Sequence, residues 1–266
     1  LSIESIFDQL RPEILVCGTS WGMTIDKIMT LIAKKRGILS ISIIDHWTLF
    51  RQRYCDTSKS DYKDDLKYLT DYCIVIDEKA RILAEKEGID SARLLVGGHP
   101  HLEVLESKSI PYTREFGNNH NRNNNLLYIS EKIRDHIGRF GHIPYDEYDV
   151  LDDLCVIADK LNMSLDVKLH PQETQDKFSN MNHSTHMPQN IFKELSFESM
   201  LHNFDFIIGM DSMLLIELGL FRGNVVSYRP KYDGVFHLHD TLISVLEFKD
   251  INTLECYIKD STINVD

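Results

Sequence analysis

Short apolar runs that alternate with amphipathic stretches constrain the fold of this chain more than any other feature. Near-continuous apolar runs lie at residues 13–17, 38–44 and 72–76. Between the first two, residues 24–36 carry apolar side chains at helical spacing and end at Gly37, a residue that favours a left-handed helix end. Apolar runs without polar alternation are typical of parallel strands covered on both faces by helices. The pattern therefore predicts an α/β fold.

The alternation is interrupted once and then restarts. Residues 111–125 are polar and rich in asparagine, which is typical of a loop or linker. Strand-like and helix-like runs alternate again afterwards. We therefore predict two Rossmann-like, doubly wound parallel-sheet domains, residues 1–117 and 118–266, that face a cleft. The chain opens on a predicted helix at residues 2–10, where this architecture opens on a strand, so we expect the amino-terminal domain to be truncated.

Composition excludes several classes of function. The chain has 266 residues and a formal net charge of −12, which argues against a general nucleic-acid binder. Its five cysteines form no CxxC pair, and no HExxH or Walker lysine is present, so we predict no required metal and no bound cofactor. The sequence contains no apolar run long enough to span a bilayer, and we expect a cytoplasmic protein.

In doubly wound sheets, ligands bind beyond the carboxyl ends of the strands, so the candidate residues are those that follow strands. In the second half, Lys168 ends a predicted strand, and His170 and Pro171 follow it. Pro171 fixes the turn, the imidazole of His170 can donate to a phosphate oxygen, and Lys168 can add positive charge. The alternative is that His170 caps a helix predicted at residues 172–178.

Two further stretches of the second half follow strands. Asp211 and Ser212 lie between the most apolar run and a predicted helix, whose first amides and the Ser212 hydroxyl suit a phosphate. Asp211 faces either a ribose hydroxyl or its own helix as a cap. Glu217 is a charge within an apolar run, and its partner is either a ribose diol or a core cation. Ser130 and Glu131 follow the first strand of this half and are expected to border the nucleotide.

The first half supplies two candidate stretches. Asp45 and His46 follow the second apolar run and are candidate general bases, while Trp47 can stack on a sugar ring. The alternative is a structural Asp-His pair with Trp47 packed into the domain. The second stretch follows the first run, where glycine and small polar residues let backbone approach an acceptor or donor sugar. It consists of Gly18, Thr19, Ser20 and Trp21.

These motifs in order resemble the two-domain GT-B glycosyltransferases of bacterial capsule and lipopolysaccharide assembly. The set is Asp45-His46-Trp47, Tyr128-Ile129-Ser130-Glu131, Lys168-Leu169-His170-Pro171 and Gly209-Met210-Asp211-Ser212. The bacterial sialyltransferases and the Kdo and polyol-phosphate transferases are the nearest parallels. The resemblance implies that His170, Pro171 and Ser212 bind the phosphate or ribose of the donor. Those families often have two adjacent Ser/Thr residues where this chain has Asp211-Ser212.

The resemblance also implies the substrates. The donor is a CMP- or UDP-linked sugar, and the acceptor is a glycan or a lipid-linked glycan, which leaves peripheral association with the inner face of the membrane open. The same fold occurs in UDP-N-acetylglucosamine 2-epimerases, which are the second hypothesis. A non-catalytic protein that binds nucleotide sugars is the third.

Overall fold

The computed structural model describes residues 2–20, 22–58, 65–116, 124–134, 143–179, 181, 187–234 and 245–263, with the backbone alone at 110–116 and 263. The chain divides into two compact units, Leu1–Glu103 and Val104–Asp266. Each unit contains a parallel sheet with helices, which confirms the predicted α/β fold. Residue 117, at the predicted domain boundary, lies outside the described residues, so that boundary stays a prediction.

The first unit contains a four-stranded parallel sheet in the order β1-β2-β3-β4. Its strands are β1 (Ile14–Cys17), β2 (Leu39–Ile43), β3 (Tyr72–Val75) and β4 (Leu94–Val96). Its helices are α1 (Ile3–Leu10), α2 (Ile25–Arg36) and α3 (Glu78–Lys86), and α4 (Pro100–Phe116) continues into the second unit.

Local sequence signals set the helix ends in this unit. Gly37 ends α2 with a φ of 66°, the left-handed conformation that glycine adopts at low cost. Asp77 begins α3, because its side chain accepts a hydrogen bond from the amide of Ala80. Apolar residues of α1 and α2 pack on Leu15 of β1, with Phe7, Ile32 and Ala33 in one cluster.

One face of the first sheet differs from the expectation of cover on both faces. Val16 and Leu39 lie on the face opposite Leu15, and both are exposed. The helices α1 and α2 pack on the Leu15 side. The reason lies in strand order, because right-handed crossovers that always advance in one direction place their helices on one face.

The second unit contains a six-stranded parallel sheet in the order β10-β9-β8-β5-β6-β7. Its strands are β5 (Asn125–Ile129), β6 (Ser164–Lys168), β7 (Asn190–Phe192), β8 (Phe206–Gly209), β9 (Val225–Tyr228) and β10 (Leu246–Phe248). Its remaining helices are α5 (Glu147–Leu161), α6 (Phe197–Asn203), α7 (Met213–Gly219) and α8 (Ile251–Ile263).

Both faces of this second sheet are buried at its centre. Leu126 and Tyr128 of β5 pack against Leu154 of α5 and Leu254 of α8. Leu127, on the opposite face of β5, is also fully buried. Near-continuous apolar strands are required where both faces of a sheet are dry, which is why these segments are readable from sequence.

Three features differ from the sequence predictions. The helix α4 continues through Pro111 to Phe116, although a proline inside a helix removes a hydrogen bond and usually breaks it. Residues 172–178 form turns where a helix was the alternative prediction. The strands β7 and β10 were not predicted, because three-residue edge strands carry too little pattern. In the described part of the chain, no helix is long and apolar enough to cross a membrane.

Candidate functional site

The strand order of the second sheet defines where a ligand is expected. From β5 the chain proceeds to β6 and β7 on one side, and β8 then lies on the other side of β5. The direction of winding therefore reverses between β5 and β8, and ligands of such sheets bind beyond the carboxyl ends at this reversal. Ser130 and Glu131 follow β5, His170 follows β6, and Asp211 and Ser212 follow β8. The structure thus brings three predicted stretches to one sheet edge.

Glu131 joins the ends of β5 and β8. Its Oε1 accepts hydrogen bonds from the amides of Met210, at 3.1 Å, and Asp211, at 2.8 Å. Burial raises the pKa of Glu131 to about 8, and the nearby Asp211 carboxylate adds to the rise. The two amides lie before the first amides of α7, so the predicted phosphate contact of that helix start stays a prediction.

Asp211 and Ser212 occupy the turn between β8 and α7. Burial raises the pKa of Asp211 to about 6, and the positive charge of Arg229 opposes the rise. Its Oδ1 atom is buried and has no hydrogen-bond partner among the described residues. Ser212 caps α7, since its hydroxyl accepts from the amide of Leu214 at 3.2 Å. An unpaired buried acceptor is costly, and the predicted contact of Asp211 with a ribose hydroxyl stays a prediction.

His170 is held in one tautomer. Its ring Nδ1 accepts a hydrogen bond from the amide of Gln172 at 3.2 Å, so the proton of the neutral ring is on Nε2. Burial lowers the pKa of His170, which keeps the ring neutral at pH 7. The alternative prediction had His170 capping a helix after it. His170 does make a capping contact, but the segment that it caps forms turns. The same contact leaves the Nε2–H group of His170 as the donor for the phosphate contact that the sequence predicts.

A buried ion network holds the His170 turn in place. Lys177 Nζ pairs with Glu147 Oε1 at 2.7 Å and also with Glu173 Oε1. Glu173 Oε1 accepts from the Ser130 hydroxyl at 3.1 Å, and Glu173 Oε2 accepts from the amide of His170 at 2.8 Å. Sequence reasoning missed Glu147, Glu173 and Lys177. The spacing of Glu173 and Lys177 is the signal that was available, since these side chains meet at four residues apart in a helical turn.

Lys168, Pro171 and Glu217 have different surroundings. Lys168 Nζ donates to the carbonyl of Leu169 at 2.8 Å, and burial lowers its pKa. The carbonyl of Pro171 accepts from Lys193 Nζ at 2.6 Å, which fastens the turn. Glu217 is half-buried on α7. The substrate contacts of these three residues stay predictions.

In the first unit, Arg53 links two predicted stretches. The buried guanidinium donates from Nη1 to Thr19 Oγ1 at 3.0 Å and to Asp45 Oδ1 at 3.2 Å. The residues after β1 and β2 therefore meet, as expected for neighbouring parallel strands. Asp45 is exposed, and His46 Nδ1 lies 3.0 Å from the Thr48 hydroxyl. Gly18 is exposed, Ser20 is half-buried, and Trp21 lies outside the described residues.

Trp47 is part of the core of the first unit. Its side chain is fully buried, and its indole Nε1–H donates to Asp77 Oδ2 at 2.8 Å. Stacking on a sugar requires an exposed ring face. The burial of Trp47 corrects the stacking expectation and agrees with the alternative, in which Trp47 packs into the domain.

A separate cavity of about 390 Å³ lies at the carboxyl ends of β9 and β10. Asp149, Asp153, Tyr228 and Lys249 are among its lining residues, and Tyr228 donates to Asp153 Oδ2 at 2.5 Å. None of the residues predicted from sequence lines it. Within the described residues, no group of three or more His, Cys, Asp or Glu side chains is placed to hold a metal ion.

Comparison with known proteins shows the fold. No protein-family model and no curated protein matches the chain. Among solved structures, the UDP-N-acetylglucosamine 2-epimerase of Rickettsia bellii is similar with a TM-score of 0.60 and 15% identity, over 99% of this chain and 68% of that one. The UDP-GlcNAc 2-epimerase of Methanocaldococcus jannaschii has a TM-score of 0.56 and 13% identity, over 99% and 73%.

A third solved structure gives the same result. The UDP-GlcNAc 2-epimerase of Neisseria meningitidis, bound to UDP-GlcNAc, has a TM-score of 0.57 and 12% identity, over 97% of this chain and 71% of that one. At these identities the likeness establishes the architecture of two parallel-sheet α/β units. It therefore agrees with the fold that the sequence predicted.

Proposed function

We propose that this chain is an enzyme that acts on a sugar nucleotide and transfers its sugar to a glycan acceptor in the synthesis of a bacterial surface polysaccharide. The observation that carries the proposal is the convergence of His170, Asp211 and Ser212 at the winding reversal of the second sheet. A nucleoside phosphate needs hydrogen-bond donors for its oxygens and acceptors for its ribose hydroxyls. This edge supplies both kinds of group.

Each group has a proposed part in the reaction. The Nε2–H of His170 donates to a phosphate oxygen and stabilises the charge that grows on the leaving nucleotide. The Ser212 hydroxyl adds a contact to the same phosphate or to the ribose. The carboxyl groups of Asp211 and Glu217 accept hydrogen bonds from ribose or sugar hydroxyls. Asp45 or His46 of the first unit acts as general base toward the acceptor.

Nucleotide binding is the first test. The chain is heated with CMP, CDP, UDP and GDP in turn, and a nucleotide that binds raises the midpoint of unfolding. The His170→Ala variant should lose most of that shift, whereas His202→Ala, which removes an exposed histidine on α6, should keep it. No shift with any nucleotide would exclude the proposed site. We expect binding and turnover to persist in a metal chelator.

Epimerisation is the second candidate reaction, and the comparisons favour it, because the similar solved structures are named UDP-GlcNAc 2-epimerases. Incubation with UDP-GlcNAc separates the two reactions. Free nucleotide released only with an acceptor indicates transfer, while an isomeric sugar nucleotide formed without an acceptor indicates epimerisation. Binding without either product would leave a non-catalytic nucleotide-sugar-binding protein.

The proposed reaction sets the location and partners. Nucleotide-linked sugars are the proposed donors, and we place the enzyme in the cytoplasm. A lipid-linked acceptor would bring it to the inner face of the membrane. Sedimentation with vesicles, with and without a lipid-linked acceptor, tests that association.

A further inference from the structure

The cavity of about 390 Å³ at the carboxyl ends of β9 and β10 has no part in the proposed reaction. Tyr145, Tyr228 and Pro230 are the buried residues of its lining, and the other lining residues are half-buried or exposed. Sites for small molecules are usually concave, with volumes of about 300 to 1,000 Å³. The cavity is therefore large enough for a ligand of about one sugar ring.

The wall of the cavity that α5 forms is acidic. Asp152 and Asp153 follow Asp149 by three and four residues, which places the three carboxylates on one face of the helix. Like charges at this spacing destabilise a helix. The favourable effect of the helix dipole falls off within the first turn, so it compensates little at Asp152 and Asp153. A cation bound in the cavity would therefore stabilise this wall.

Two of these carboxylates are held by neutral donors. Asp149 Oδ2 accepts from the amide of Asp146 at 2.9 Å, and Asp153 Oδ2 accepts from the Tyr228 hydroxyl at 2.5 Å. Burial and this hydrogen bond raise the pKa of Tyr228, so its hydroxyl stays protonated and continues to donate to Asp153. In the described part of the chain neither Asp149 nor Asp153 forms an ion pair. Oδ1 of each carboxylate can accept from a ligand cation.

The wall that follows β9 and β10 carries two lysines and a fourth aspartate. Lys231 and Lys249 are exposed, and the amide of Lys231 donates to the carbonyl of Lys249 at 3.0 Å. Lys249 Nζ lies 3.8 Å from Glu247 Oε2. With Asp250, four aspartates and two lysines line the cavity, which leaves an excess of two negative charges. This excess favours a cationic ligand over a phosphate or another anion.

Tyr145 gives an independent indication of a ligand. It lines the cavity and is only 5% exposed. Its ring packs edge-on against Tyr232, with the ring centroids 6.0 Å apart. Among the described residues its hydroxyl has no hydrogen-bond partner. Because the hydroxyl of a buried tyrosine usually has a partner, a ligand hydroxyl in the cavity is the partner that we expect.

We propose that this cavity binds a small molecule with a protonated primary amine and hydroxyl groups, that is, an amino sugar whose amine is free. The ammonium group donates to Asp149 and Asp153, and a ligand hydroxyl pairs with the hydroxyl of Tyr145. The C–H groups of the sugar ring pack on Pro230. The proposal concerns a site other than the winding reversal of the second sheet, and it does not rest on the proposed function.

Titration calorimetry of the whole chain with glucosamine and with glucose tests the proposal. The two probes differ only in the amine, which glucose replaces with a hydroxyl. Glucosamine should bind at least about 10-fold more tightly than glucose, because only its ammonium group forms charged hydrogen bonds with the acidic wall. Asp153→Asn should weaken glucosamine binding by at least about 10-fold for the same reason. The control is Asp159→Asn, an exposed aspartate of α5 outside the cavity lining, which should bind glucosamine as wild type does.

Tyr145→Phe gives a second measurement, because it removes only the hydroxyl. It should weaken glucosamine binding by about 3- to 10-fold and shift the midpoint of thermal unfolding without ligand by less than about 2 °C. The proposal fails if glucosamine shows no saturable binding, if glucose binds equally well, or if Asp153→Asn binds glucosamine as wild type does. It also fails if Tyr145→Phe lowers the unfolding midpoint and leaves binding unchanged, because the hydroxyl then has a partner within the protein. Nucleotide thermal shifts of wild type and His170→Ala are measured separately and report only on the proposed function.

Discussion

The buried carboxyl group of Glu131 gives the sharpest test of the site geometry. We predict that Glu131→Gln stabilises the protein at alkaline pH. The amide side chain retains a carbonyl oxygen that can accept from Met210 and Asp211, as Oε1 of Glu131 does. It differs from glutamate in having no charge to bury. The variant therefore isolates the cost of ionising Glu131 at this position.

The magnitude follows from the pKa of Glu131, which rises from 4.5 to about 8 in the fold. That rise is about 3.5 pKa units at about 1.4 kcal/mol each, or about 5 kcal/mol. The carboxyl group is buried, but the Glu131 residue as a whole is half-buried. Nearby water screens part of the cost, so we expect about 2 to 4 kcal/mol. The pKa of Glu131 is higher in the folded chain than in the unfolded chain. The stabilising contribution of the protonated carboxyl group is therefore complete below about pH 4.5 and is lost as pH rises through about 8.

Urea unfolding at pH 5, 7 and 9 measures the effect. At pH 5 wild type and Glu131→Gln should have similar free energies of unfolding, and at pH 9 the variant should be more stable by the amount above. Glu194→Gln, which changes an exposed carboxylate, should follow wild type at every pH. If wild type and Glu131→Gln lose stability in parallel from pH 5 to pH 9, Glu131 is not a buried acid, and its described contact with the amides of Met210 and Asp211 is wrong.

Three further predictions concern His170, Lys177 and Trp47. His170→Ala should reduce turnover by about 100-fold, because one hydrogen bond to the leaving phosphate is lost, and circular dichroism should be unchanged; full turnover would remove His170 from the mechanism. Lys177→Met should lower the free energy of unfolding by about 3 to 5 kcal/mol in urea, because Glu147 and Glu173 are left as buried carboxylates without their cation; a smaller loss than about 1 kcal/mol would contradict the buried network. Trp47→Phe should cost about 1 to 3 kcal/mol, because the indole N–H to Asp77 is lost from a buried site; improved or weakened sugar binding with unchanged stability would instead support a stacking role.

Local pattern was sufficient to place most elements of the fold. The strands β5 and β8 were predictable because a strand buried on both faces must be apolar at nearly every position. The end of α2 at Gly37 was predictable because only glycine takes that backbone conformation at low cost. The edge strands β7 and β10 were not predictable, since each has three residues and partial burial.

The candidate site was predictable as a set of positions and not as a set of contacts. The rule that ligands lie beyond strand ends selected Ser130, His170 and Asp211 from the sequence. The rule does not predict which groups form hydrogen bonds or ion pairs with one another there. Glu131 lies 80 residues from Asp211 along the chain, and no local spacing relates them. Their contact exists because β5 and β8 are neighbours in the sheet.

The sequence by itself determined the alternation of strands and helices, because side-chain polarity repeats with the period of each element. Tertiary structure alone decided that β8 returns beside β5, that Glu131 occupies the amides of the β8–α7 turn, and that Trp47 is buried. The physical reason is that burial and pairing depend on which distant segments meet. The exposed apolar face of the first sheet is likewise visible only when the strands are assembled, since Val16 and Leu39 come from separate strands.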